Sequence, residues 1–145
     1  MILPDVNVLV YAHRQDSVHH ERYGSWLAEV VAGRDELALV EATLTGFVRI
    51  VTHPRIFDEP ATTTEALAFV ETLHAARRVR RLVATAATWR HFAGLANTDR
   101  QVRGNLVPDA WLAAMARSHG CRVATADRGF ARYPGVDWFD PSRHS

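Results

Sequence analysis

Short apolar runs alternate with longer amphipathic segments along the whole chain. Ile2-Leu3-Pro4 reads as a buried strand, and Asp5 then opens an apolar stretch to Ala12 that predicts a helix starting close to Asn7. From His19 to Val31, Tyr23, Trp26, Leu27 and Val30 recur at i, i+3, i+4 and i+7, the spacing of one helix face. Gly33 is the stop signal. Leu37 to Val40 predicts a second strand, and Glu41 starts a helix with Leu44, Phe47, Val48 and Val51 on one side, closed by Pro54. Thr62 with Glu65 resembles a capping box before a helix over Ala66 to Ala76, with Leu67, Val70 and Leu73 on one side. Arg81-Leu82-Val83 is a short third strand, and Thr88 to Leu95 a helix. Residues 97–105 form the most loop-like region, and Pro108 to His119 a helix ended by Gly120. Arg122 to Thr125 and Val136 to Phe139 complete the strands.

Strands alternating with helices predict an α/β fold: a parallel central sheet of four to five short strands flanked by helices. With 145 residues, no linker and no repeat, one domain over 1–145 is expected. No run is apolar for long enough to span a bilayer, and the first residues lack the pattern of a secretion signal, so a cytoplasmic protein without membrane association is expected. Cys121 has no partner for a disulfide or a CxxC zinc site and is expected to be a buried, inert thiol.

A net charge of +1 implies no polyanion by itself. All 17 basic residues are Arg, and the absence of Lys excludes mechanisms that need an amine. Arg77-Arg78-Val79-Arg80-Arg81 reads equally as a phosphate grip or as a solvated connection. Arg100 and Arg103, in the loop before Asp109, are better placed for contact with a substrate. The eight His include no HExxH or Cys/His pattern, and the four Trp are expected in the core rather than as base-stacking platforms.

Asp5, Glu41, Asp109 and Asp127 each stand where an apolar run gives way to a helix or turn. Singly, each has an ordinary role as a cap, a first-turn acid or a turn residue. Jointly they matter more, because parallel strands deliver their carboxyl ends to one edge of the sheet. Four like charges gathered there need a cation or protons. All-oxygen ligands favour Mg²⁺, with Mn²⁺ as a substitute, over zinc. Such a cage suits phosphodiester hydrolysis.

Asp5-Val6-Asn7-Val8-Leu9-Val10, the acid after the second strand, Asp109-Ala110-Trp111-Leu112-Ala113-Ala114-Met115-Ala116 and Thr125-Ala126-Asp127-Arg128-Gly129-Phe130 together resemble a PIN domain. Within that superfamily the chain is most similar to VapC toxins of VapBC toxin–antitoxin pairs, over nearly its full length. The resemblance implies that Asp5, Glu41, Asp109 and Asp127 are the catalytic and metal-holding acids, with Asn7 and Thr125 as supporting polar residues. Val6 departs from the Ser or Thr of many members. It also implies a Mg²⁺- or Mn²⁺-dependent endoribonuclease that arrests growth, a VapB-type antitoxin partner and a homodimer. A signalling receiver or phosphatase, which would need a Lys, and a binding module with a silent site are the rival readings.

Overall fold

The computed structural model describes residues 1–143. Five strands form one sheet: β1 (Ile2–Pro4), β2 (Leu37–Val40), β3 (Val79–Leu82), β4 (Arg122–Ala124) and β5 (Trp138–Phe139). Every pairing is parallel, and the order is β3-β2-β1-β4-β5. Six α-helices connect them: α1 (Val6–His13), α2 (His20–Val31), α3 (Glu41–Val51), α4 (Thr63–His74), α5 (Ala86–Thr98) and α6 (Val107–His119). The α/β class with a single sheet agrees with the pattern of the sequence. The strand order does not suit the receiver alternative, whose doubly wound sheet runs 2-1-3-4-5.

β2 shows why the runs are apolar throughout. Leu37 and Leu39 join the core beneath α1 to α4, while Ala38 and Val40 face the core beneath α6. A strand covered on both faces has no polar position to spare. β3 lies at the edge instead, with Arg80 and Arg81 exposed and Arg80 paired to Glu36 at 2.6 Å. Charged side chains on an edge discourage pairing with another chain, which favours the solvated reading of the Arg77–Arg81 run.

Several expectations are corrected. The third strand begins two residues early, at Val79, and Val83 is exposed beyond it. In α4 the capping box of Thr62 and Glu65 is present, but the inward face carries Ala66, Val70 and Leu73, and Leu67 is exposed. Helix α5 starts and ends beyond its expected bounds, because Thr85 caps it and it runs to Thr98, into the expected loop. Gly104–Leu106 forms a 3₁₀ turn leading into α6. Trp89 is 60% exposed, whereas Trp26, Trp111 and Trp138 pack partly buried against the core. Cys121 is buried as expected, and burial pushes its thiol up. No helix among the described residues is long and apolar enough to cross a membrane.

Candidate acidic active site

The sheet order reverses between β1 and β4. The chain builds outward from β1 to β2 and β3, then crosses to β4 and β5 on the other side. Open α/β sheets bind ligands at the carboxyl ends flanking such a switch point. Pro4 pairs with Ala124 there, so the next residues of both strands, Asp5 and Thr125, leave the sheet side by side.

Asp5 is 6% exposed and caps α1, its Oδ1 accepting from the Val6 backbone N–H at 2.7 Å. Its Oδ2 accepts from the fully buried Thr125 hydroxyl at 2.8 Å and from Asn7 Nδ2 at 3.3 Å. Asn7 Nδ2 also reaches Thr125 Oγ1 at 3.3 Å, and Asn7 Oδ1 accepts from the Ala126 backbone N–H at 3.2 Å. Thr125 Oγ1 in turn accepts from the Asp127 backbone N–H at 3.0 Å. Asn7 and Thr125 thus lock the end of β1 to the turn after β4. Asp127 starts the 3₁₀ turn Arg128–Arg132, its Oδ1 accepting from the Gly129 N–H at 2.7 Å.

Asp109 enters from the first turn of α6, half-buried, where helix N-terminal N–H groups favour a negative charge. Its carboxyl is nevertheless pushed up to about 6, first by burial and then by the charges of Asp5 and Asp127. Arg132 opposes this rise. Burial also raises Asp5, against the donors Thr125 and Val6 and with help from Asp127. Three of the expected acids therefore act on one another through space. Glu41 lies apart from this coupling. It stands exposed at the first position of α3, just past β2, at the same edge of the sheet. Arg100 and Arg103 are exposed in the approach to α6, with no ion pair to any described residue to fix them.

Two residues near the acids escaped sequence reasoning. Arg132 reaches Asp99 at 3.0 Å and also donates to Gln101, so a cation is tethered beside Asp109. Tyr133 is 4% exposed, and its hydroxyl has no hydrogen-bond partner among the described residues. Nothing in their local sequence marks either one, because both depend on the turn after Asp127 folding back against α6. A separate open cleft of about 980 Å³ lies along α2 and β5 and contains none of the four acids. Its Arg34 and Arg122 are engaged by Glu29 and Asp137, so the acids at the switch point are the stronger candidate for chemistry.

Among the described residues, no three His, Cys, Asp or Glu side chains are gathered closely enough to hold an ion as they stand. The donor set nonetheless has the right chemistry for a hard cation. It is all oxygen, partly desolvated, and strained by its own like charges.

Residues 2–136 match the PIN domain family. The chain is 40% identical over 141 residues to the VapC ribonuclease Mb2897 of Mycobacterium bovis, covering 97% of this chain and 95% of that one. It is 35% identical over 143 residues to ribonuclease VapC25 of Mycobacterium tuberculosis, covering 97% and 99%. Among solved structures, VapBC-1 from nontypeable Haemophilus influenzae superposes with a TM-score of 0.69 at 21% identity, over 99% of this chain and all of that one. VapC20 of Mycobacterium tuberculosis, described as a sarcin-ricin loop cleaving toxin, superposes with a TM-score of 0.67 at 16% identity, over 94% of this chain and 98% of that one. The chain belongs to the PIN domain family and, within it, to the VapC ribonucleases.

Proposed function

We propose that this protein is an endoribonuclease toxin that hydrolyses cellular RNA and arrests growth until a VapB-type antitoxin binds it. Its place among the VapC ribonucleases supports the RNA-cleaving activity and the antitoxin partner. The observation that carries the site is the coupling of Asp5, Asp109 and Asp127 at the switch point, with Asp5 and Asp127 tied together through Thr125.

Asp5, Asp109 and Asp127 would hold Mg²⁺ (or Mn²⁺), with Glu41 completing the set through water from the start of α3. When bound, that ion supplies Lewis acidity: it lowers the pKa of an attacking water and offsets charge on the phosphate. The rest falls to the chain. Thr125, Asn7 and the Val6 N–H satisfy Asp5 so completely that its carboxylate has one orientation. Asp109 is the adjustable member, half-buried and short of hydrogen-bond donors. Arg132, held by Asp99, keeps a positive charge at the rim, where it favours an incoming phosphate over a neutral group. Arg100 and Arg103 are free to follow the RNA backbone.

The decisive test sequences RNA ends after brief expression of the protein and of Asp5→Asn. New 5′-phosphate ends are expected with the first and not with the second, and EDTA is expected to stop cleavage by purified protein. Cleavage that persists in folded Asp5→Asn or in EDTA would remove this reading. A silent binding module would also show no stabilisation by Mg²⁺. Co-expression with the product of an adjacent short reading frame is expected to restore growth, and sedimentation of the purified chain to give a homodimer.

A further inference from the structure

Two buried side-chain polar atoms among the described residues have no hydrogen-bond partner: His13 Nδ1 and Tyr133 Oη. His13 closes α1 at the end away from Asp5, with its ring against Phe47 and Phe69. Tyr133 is placed differently. It follows the 3₁₀ turn that Asp127 starts, its N–H donating to the Phe130 carbonyl at 3.1 Å. Its ring packs edge-on to Phe130 at 5.3 Å, in the core cluster that also holds Ala110 and Ala113 of α6. The phenol therefore belongs to the core that joins the segment carrying Asp127 to α6, where burial and then the charge of Asp109 act on it.

The two groups have complementary deficits. A buried hydroxyl without an acceptor is costly. Asp109 is a partly desolvated acceptor whose state is set by burial and neighbouring charges, with no donor from a described residue to offset them. Arg132, the other candidate, is already committed to Asp99 and Gln101. Thr125 performs the corresponding service for Asp5, where donor and acceptor are already joined.

We propose that Tyr133 is a positioning residue for Asp109, its hydroxyl donating to the Asp109 carboxylate as that carboxylate turns inward to meet the cation. The inference rests on the metal-dependent reading above. In the structure the Tyr133 hydroxyl and the Asp109 carboxylate are not hydrogen-bonded. With the cation, the hydroxyl fixes which Asp109 oxygen faces the metal and keeps the carboxylate from swinging back to solvent.

The test is calorimetric titration of the full chain with Mg²⁺, for wild type and Tyr133→Phe, alongside thermal unfolding and cleavage kinetics. Metal-free Tyr133→Phe is expected to unfold at or above the wild-type temperature, since only an unpaired hydroxyl is lost. Its Mg²⁺ affinity is expected to fall about tenfold, the scale at which partners of metal ligands act. The cleavage rate should largely recover at saturating Mg²⁺. Equal Mg²⁺ affinity in the two proteins overturns the inference and leaves the nuclease reading standing. RNA cleavage by a wild type that binds no Mg²⁺ removes the metal-dependent reading, and this inference with it. An independent measurement uses wild type labelled with carbon-13 at the tyrosine ζ position. Addition of Mg²⁺ is expected to shift the Tyr133 resonance and leave Tyr11 and Tyr23 in place, and a stationary Tyr133 overturns the inference even if the variant does not fold.

Discussion

The Thr125 hydroxyl donates to Asp5 Oδ2 at 2.8 Å, joining residues 120 apart in the chain at the one place where the sheet reverses its order. The same oxygen accepts from the Asp127 N–H at 3.0 Å. One buried atom thus serves two acids, as donor to the first and as acceptor for the backbone that aims the second.

Replacing Thr125 with Val keeps the shape and removes both services. Asp5 would lose its closest side-chain donor, and the Asp127 N–H its acceptor. Thr125→Val is expected to cost about 1–3 kcal/mol in urea denaturation, the range for stranding buried polar groups. Cleavage should fall with it, because two of the three coupled acids lose their aim. Asp5→Asn makes the contrast. Asn is as good an N-cap as Asp, so that variant should stay folded while losing cleavage. A Thr125→Val protein with wild-type stability and rate would show that the network is incidental.

Asp109 gives the metal-free protein a pH dependence whose sign can be worked out. Its carboxyl is raised from 3.8 to about 6 in the fold, so folding favours the protonated form. The resulting penalty is absent below about pH 4, grows between about 4 and 6, and stays constant above. Burial gives Asp5 the same sign. Asp109→Asn is therefore expected to be more stable than wild type at neutral pH, by about 1 kcal/mol once its partial exposure is allowed for. That advantage should vanish near pH 4. Urea midpoints for both proteins at the two pH values check it, and a variant less stable than wild type at neutral pH would contradict the coupling. Mg²⁺ should stabilise wild type more at neutral pH than at pH 5, since only ionised carboxylates attract it.

How much of this could be read from the chain depends on the range of the interaction involved. Asp5 was legible because an apolar strand ending in an acid is a local event, and parallel strands carry that event to a shared edge. Asp127 was legible for the same reason, as an acid just beyond Arg122–Ala124. The strand runs were clear where both faces are covered, as in Leu37–Val40, and shifted where one face is open, as in Val79–Leu82. Leu67 fits a helix stripe almost as well as Ala66 does, and only packing against α3 chooses between them. Trp89 is large and apolar, yet it packs from the solvent side against Trp111, the rings tilted with centroids 4.6 Å apart, an arrangement no spacing reveals. Tyr133 could not be singled out at all, since lacking a partner is a property of the folded whole.

Glu41 separates reading from geometry most clearly. As the first residue of α3 it suits the helix dipole, and that alone would account for an acid there. Its exposure means that Glu41→Gln should change stability by no more than about 1 kcal/mol. If it completes the metal set through water, cleavage should nevertheless fall about tenfold, the scale for partners that act on a metal at one remove. Asp5→Asn should be more severe. Cleavage by Glu41→Gln at the wild-type rate over a full Mg²⁺ titration would assign Glu41 to the helix and not to the site.

Phe130 ties the site to the core, and its removal should expose that dependence. The ring is fully buried, packs against Tyr133, and lies within the 3₁₀ turn that begins at Asp127. Phe130→Ala would leave a cavity beneath the turn, with an expected loss of about 3–5 kcal/mol. Phe130→Leu keeps most of the volume and should cost less than about 1.5 kcal/mol. The useful comparison is between stability and Mg²⁺ binding in the Leu variant. A turn held mainly by its own hydrogen bonds, such as the 2.7 Å contact from the Gly129 N–H to Asp127, would keep wild-type Mg²⁺ affinity. A turn held by the buried ring would let Asp127 and Tyr133 drift together, and Mg²⁺ affinity would fall although the protein stays folded. The packing favours the second outcome: Phe130 is fully buried and Tyr133 nearly so, while Asp127 itself is exposed and cannot anchor the segment.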